Sequence, residues 1–350
     1  MPTIYARTGP GKALDGGLKY DVSKFNQAFF DQLRARCLAA QERGIYLQVM
    51  LDSSETARTE PPGNLNWPSH PYNAANNING IDGDPNGDHS GYEIFSLQSA
   101  PLMALNENYA RKVVDTLNDL DNVLFEIVNE ADHDSKDFQY HMIQYIRTYE
   151  ATHKPKQHPV GMTSYRDPGN EPGGANSDLF GSPADYIAPG LEPYRDNPPT
   201  ADRQKVIILD TDHIGGGDAN WVWKAFTRGM NPVYMDTWEA SEAKLEATRK
   251  ALGHVVTLAK KMNLSAMTPG DDLASSRYCL ANPGQEYLIY LPEGGTVKVD
   301  LAAASGPLEL EWVHPVDGTG RPAGTVAGGG WRVMKVPFAG DAVLHLRKAK

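Results

Sequence analysis

The chain has 350 residues, and its 33 Lys and Arg against 44 Asp and Glu give a net charge of −11. Apolar residues at 40% and charged ones at 22% exclude a disordered chain, and the 33 Gly and 25 Pro follow no period, which excludes collagen. The acidic balance, with no clustered Lys or Arg, argues against nucleic acid as a partner, and no apolar run approaches the roughly 20 residues that cross a bilayer. The segment Met1–Arg7 lacks a basic stretch followed by an apolar run. The chain as written is therefore expected to be cytoplasmic, or secreted if its N-terminus is truncated. Cys37 and Cys279 lie far apart in apolar settings and read as buried thiols.

Residues 1–24 hold one short strand candidate, Thr3 to Arg7. From there short apolar runs alternate with amphipathic helical stretches. Asn26 to Arg43 places Phe29, Phe30, Leu33, Cys37 and Leu38 at spacings of three and four, and Gly44 ends it. Ile45 to Leu51 reads as a buried strand, Leu105 to Leu120 as a helix, Val123 to Val128 as a strand and Ser135 to Thr152 as a helix. Val160–Thr163, Tyr186–Ala188, Lys205–Leu209 and Pro232–Met235 are further strands, with helices over Trp221–Arg228 and Glu239–Lys261. Nearly all-apolar strands alternating with helices imply a parallel sheet covered on both faces. Two closures are open: a doubly wound sheet, or a (β/α)8 TIM-type barrel whose first two strands are either weak or absent. After about Leu264, short alternating strands separated by Gly- and Pro-rich turns predict a small C-terminal antiparallel β-sandwich. The expected domains are residues 1–264 and 265–350.

In a parallel α/β fold, chemistry gathers at the carboxyl ends of strands. Acidic residues stand there repeatedly: Asp52, Asn129-Glu130-Ala131-Asp132, Asp210-Thr211-Asp212-His213 and Asp236-Thr237-Trp238. Carboxylates are expensive near a core, so a shared function competes with simple helix capping as the explanation. Two carboxyls across a cleft divide the work of glycosidic hydrolysis, one protonating the leaving oxygen and the other attacking the anomeric carbon or activating water.

Phe125-Glu126-Ile127-Val128-Asn129-Glu130 resembles the fourth-strand signature of the cellulase-like clan of retaining (β/α)8 glycosidases. The resemblance implies Glu130 as acid/base, with the nucleophile at the end of the seventh strand, here Val206–Leu209. The clan uses Glu there, whereas this chain offers Asp210 and Asp212; Asp212 is favoured as lying further towards the mouth, with Asp210 as a hydroxyl-binding partner. Trp238 matches the position of an aromatic sugar platform just past the eighth strand, beside Asp236. His213 and Asn129 are hydroxyl-binding candidates, and Tyr165, Arg7 and His70 are weaker ones. Asn282 to Gly295 and Pro337 to Leu344 resemble a small β-domain named for collagen binding, which follows barrel glycosidases including apiosidase-type relatives; the name is not evidence of that binding.

Residues 61–92 form a long Asn/Gly/Asp/Pro-rich insertion. Within it Asp82, Asp84, Asn86 and Asp88, followed by Glu93, satisfy a calcium-loop spacing, with plain turn chemistry as the alternative. Trp67, His70 and Asn77 are candidate substrate contacts there.

The leading expectation is a retaining glycoside hydrolase acting on a polysaccharide or oligosaccharide, with no cofactor required for chemistry and Ca²⁺ as a structural candidate. An inverting hydrolase is open. So is a non-catalytic carbohydrate-binding protein derived from an N-terminally truncated barrel, in which an incomplete wall survives through pairing into a homo-oligomer or through a remodelled core.

Overall fold

The computed structural model describes residues 2–58, 66–165, 174–235 and 242–349. They fall into two compact units, Met1–Ile187 and Ala188–Lys350.

The first unit opens with β1 (Tyr5–Lys12) and β2 (Leu18–Phe25), an antiparallel pair that forms its own two-stranded sheet. The single expected strand is thus one arm of a hairpin whose second arm carries the buried Tyr20 and Val22. These are not the first two strands of a barrel. Next, α1 (Gln27–Gln41) buries Phe30 and Cys37, and Gly44 takes the left-handed conformation beyond its end. The chain continues through β3 (Leu47–Ser53), a 3₁₀ turn over Ser54–Ala57, and α2 (Asn66–Ser69). Then α3 (Ala100–Leu117) starts at Ser99, whose side chain accepts the Leu102 amide, and buries Leu102, Ala110, Val113, Val114 and Leu117 at helical spacing. After it come β4 (Val123–Asn129), α4 (Lys136–His153), β5 (Val160–Thr163), α5 (Gly174–Gly181) and β6 (Tyr186–Ala188).

The strands lie in the order β3-β4-β5-β6, and β3, β4 and β5 pair in parallel with Leu47 opposite Val123 and Ser53 opposite Asn129. The stretch expected as one buried strand begins two residues late: Ile45 and Tyr46 are exposed, and so is Met50, because β3 is the end of the row. Gly161 on β5 is required by packing, since a Cβ there would stand 2.1 Å from the Tyr186 ring. That ring crosses the strand to donate its hydroxyl to the Phe125 carbonyl at 2.8 Å.

The second unit holds β7 (Val206–Asp210), α6 (Thr211–Ile214), α7 (Ala219–Thr227), β8 (Asn231–Val233) and α8 (Glu242–Ala259), with β7 and β8 parallel. The strands β9 (Thr268–Pro269), β10 (Cys279–Asn282), β11 (Glu286–Leu291), β12 (Thr296–Asp300), β13 (Pro307–Val313), β14 (Gly320–Ala327), β15 (Trp331–Lys335) and β16 (Ala342–Lys348) follow. They make a six-stranded sheet, β14-β13-β16-β11-β10-β9, and a β12-β15 pair, both antiparallel. The two share an apolar core that includes Tyr287, Ile289, Val297, Val299, Trp312, Met334 and Leu344. Aromatic contacts join α7 to this core: Trp223 stacks on Tyr290, and the Arg228 guanidinium lies over Tyr278. Both cysteines are free and buried.

Candidate active site

In the first unit, β4 delivers Asn129 and Glu130 to its carboxyl end, with Asn129 opposite Ser53 of β3. Below them Glu126 is fully buried and accepts the Thr163 hydroxyl at 3.1 Å. Glu130 itself has φ of +48°, a left-handed conformation that costs a residue with a Cβ roughly 1–2 kcal/mol. Strain of this kind, held by a rigid strand, aims a side chain in a direction the strand alone would not give.

Arg58, just past the turn after β3, is the partner that sequence reasoning missed. Its Nη2 donates to the Glu130 carbonyl at 3.3 Å and lies 3.9 Å from Glu130 Oε2, while also bonding the buried Ser54 hydroxyl. The ion pair is largely shielded, with the two side chains 14% and 21% exposed. Arg58 therefore ties the β3 turn to both the backbone and the carboxyl of Glu130. No periodic pattern marks such an arginine, and only its place after a strand end could have drawn notice.

The remaining first-unit candidates stand apart from this pair in their bonding. Arg7 is engaged within the hairpin, ion-paired to Asp15, donating to the Leu18 carbonyl, and stacked over Tyr20. Tyr165 is buried, and desolvation raises its phenol far above the usual range. Neighbouring β4, Asp52 ends β3 and accepts the Ser53 amide at 2.8 Å and the Thr56 hydroxyl at 2.9 Å. His70 packs against Trp67, with ring centroids 5.2 Å apart.

The long insertion is ordered by asparagines. Asn77 donates to the carbonyls of Pro71, Asn73 and Ile81 and accepts the amides of Asn79 and Ile81. Asn76 accepts the Leu14 amide, and Asn79 accepts the Val22 amide and donates to Asp21. Asn77 is thus a structural fastener, buried at 4% exposure. Trp67 is likewise core: a Cβ on Gly91 would meet its ring at 2.2 Å.

In the calcium-type loop, Asp84 accepts the amides of Gly87, Asp88 and His89, Asp82 accepts that of Asp84, and Asp88 accepts the amide and the hydroxyl of Ser90. Asn86 donates to Asp88 and Glu93. Burial and the charges of Asp88, Asp84 and Asp82 raise the Glu93 carboxyl.

In the second unit, Asp210 closes β7 and caps α6, accepting the Asp212 amide at 3.0 Å. Asp212 is exposed and His213 half-buried in the single turn that follows, which ends at Gly215 in the left-handed conformation. Capping accounts for Asp210. Asp236 and Trp238 lie outside the described residues.

No protein-family model matches the chain, and no curated protein sequence matches it. Among solved structures, it is similar to a protein described as a glycoside hydrolase, with TM-score 0.51 and 11% identity over 71% of this chain and 69% of the other. It is also similar to a glycoside hydrolase family 5 protein from Bacteroides vulgatus, with TM-score 0.51 and 12% identity over 70% of this chain and 67% of the other. At such identity the likeness shows the fold alone, an α/β architecture shared with those two proteins. Six strands, β3 to β8, are described for it where a closed barrel has eight. No helix among the described residues is long and apolar enough to cross a membrane.

Proposed function

We propose that the protein is a glycoside hydrolase cleaving O-glycosidic bonds of a polysaccharide or oligosaccharide, with Glu130 as acid/base. The observation that carries this reading is Glu130 itself: it follows Asn129 at the end of a parallel strand, in a left-handed conformation fastened by Arg58, on a fold shared with glycoside hydrolases. In a retaining mechanism Asp212 is the nucleophile and Asp210, Asn129 and His213 bind hydroxyls, with Asp236, Trp238, Tyr165, His70 and Arg7 as further substrate contacts. The protonated Glu130 carboxyl delivers its proton to the leaving oxygen while the carboxylate forms a glycosyl ester; Glu130 then takes a proton from the water that releases the sugar.

The test is hydrolysis of a panel of aryl glycosides and plant polysaccharides. Glu130→Gln should lower turnover on substrates with poor leaving groups by about 10²–10⁴, while the best leaving groups should still form the glycosyl-enzyme intermediate, whose hydrolysis then slows; Asp212→Asn should abolish even that intermediate. Full activity in both variants defeats the assignment. The anomer released first, followed by proton NMR, separates retention from inversion.

A second reading, a carbohydrate-binding protein without catalysis, draws on the N-terminal hairpin, an antiparallel pair in its own sheet that precedes β3 in the chain, where a complete barrel would carry two parallel strands. Saccharide binding without product release over long incubation favours it. Structural Ca²⁺ in the Asp82–Glu93 loop is also a proposal; it requires the Asn86 amide to turn its oxygen inward. A melting temperature indifferent to both added calcium and chelator removes it.

A further inference from the structure

The first unit contains a pocket of about 250 Å³ between the hairpin, the end of β3, the first turn of α1 and the middle of α3. Its walls are aromatic: Tyr5 and Tyr20 from the hairpin, Phe29 from α1, Tyr72 from the insertion and Tyr109 from α3. Into it projects one carboxylate, Asp52. Its Oδ1 is held by the Ser53 amide and the Thr56 hydroxyl, so the group is fixed in place. Among the described residues no Lys or Arg lines the pocket, and no cation pairs with Asp52. The nearest arginine on the hairpin, Arg7, is taken by Asp15 and Tyr20.

Among the described lining residues His70 is the one group that could supply positive charge, and the fold prevents it. The Tyr72 amide donates to His70 Nδ1 at 3.1 Å, which places the ring proton on Nε2, and burial lowers the imidazole to about 3. The facing titratable groups are the phenols of Tyr5, Tyr72, Tyr109 and Tyr20, all raised by burial and therefore neutral. A carboxylate withdrawn from water without a partner is costly, and a ring of π-systems favours positive charge.

We propose that this pocket binds a small organic ammonium ion, a protonated or methylated amine of about the size of choline, with Asp52 as its counter-ion and the tyrosine rings as its cage. The proposal uses neither Glu130 nor Asp212, and His70 is the one substrate contact proposed above that also lines this pocket. Burial raises the Asp52 carboxyl to about 6, so an ammonium that prefers the ionised form should displace its proton on binding at mildly acidic pH.

The experiment is isothermal titration of the intact protein with choline chloride at constant ionic strength. The comparison is the uncharged isostere in which a tert-butyl group replaces the trimethylammonium. Choline should bind at least about tenfold more tightly than the isostere near neutral pH, and weaken about tenfold between pH 7 and pH 5 as Asp52 takes up its proton. Asp52→Asn should lose about tenfold in choline affinity and the pH dependence with it. Equal affinity for choline and its isostere, unchanged affinity at the two pH values, or no choline binding at tens of millimolar overturns the proposal. The wild-type comparison stands on its own if the variant does not fold.

Discussion

Replacing Asp52 by Asn should stabilise the protein, and the sign depends on pH. The carboxyl titrates near 6 in the folded chain against its ordinary 3.8, because burial outweighs the hydrogen bonds from Ser53 and Thr56. A group raised in this way binds more protons folded than unfolded between about pH 4 and 6, so stability falls as pH rises through that window. At about 1.4 kcal/mol per decade the full penalty above pH 6 is about 3 kcal/mol. Asp52 is partly open to the pocket, and water there screens the charge, so the expected gain for Asp52→Asn near pH 7.5 is about 1–2 kcal/mol. The amide oxygen can still accept from Ser53 and Thr56, so little is lost in exchange. Urea unfolding of both proteins at pH 7.5 and pH 4 measures the difference. The gain should vanish at the lower pH, where the wild-type carboxyl is already neutral in the folded state. A variant equally destabilised at both pH values refutes the reasoning, since it would mean that Asp52 is held by contacts the neutral amide cannot make.

Asn77→Ala strips three carbonyls and two amides of their buried partner and should cost about 3 kcal/mol or more in urea unfolding. Asp210→Ala should cost about 1 kcal/mol by uncapping α6, and Asp210→Ser should recover most of it. His158 is pulled down by burial, but Glu150 and the Leu120 carbonyl, each at 2.7 Å, hold it above its ordinary 6.5. Its contribution to stability is therefore complete below about pH 6.5 and lost as pH rises through the native value. In Glu150→Gln, NMR titration should find the imidazole midpoint below 6.5, because burial then dominates.

The elements written by side-chain periodicity were legible. The α1 and α4 stripes and the apolar run of β4 announce themselves, and with β4 comes Glu130 at its end. The hairpin was not, because β2 mixes the buried Tyr20 and Val22 with a buried Asp21 that is satisfied by Ser23, Lys24 and Asn79. An acid inside a strand spoils the apolar signal until its partners, among them the distant Asn79, are known. The strand β14 is exposed almost throughout and is held by its ladder with β13, so it has no apolar face to read. Asn77 looked like a ligand for the reason that makes it a fastener: a short amide offers two donors and an acceptor to whatever surrounds it. The strand-end carboxylates divided in the same way, Asp210 turning out to cap a helix while Glu130 adopts a conformation that capping does not require.

The asparagine fastening of the insertion to the hairpin has a consequence for how this part of the molecule opens. Leu14, Tyr20 and Val22 are bonded to Asn76 and Asn79, more than fifty residues away, so neither segment can fray without undoing the other. Amide protons along β2 and across residues 76–81 should therefore exchange together, as one cooperative block.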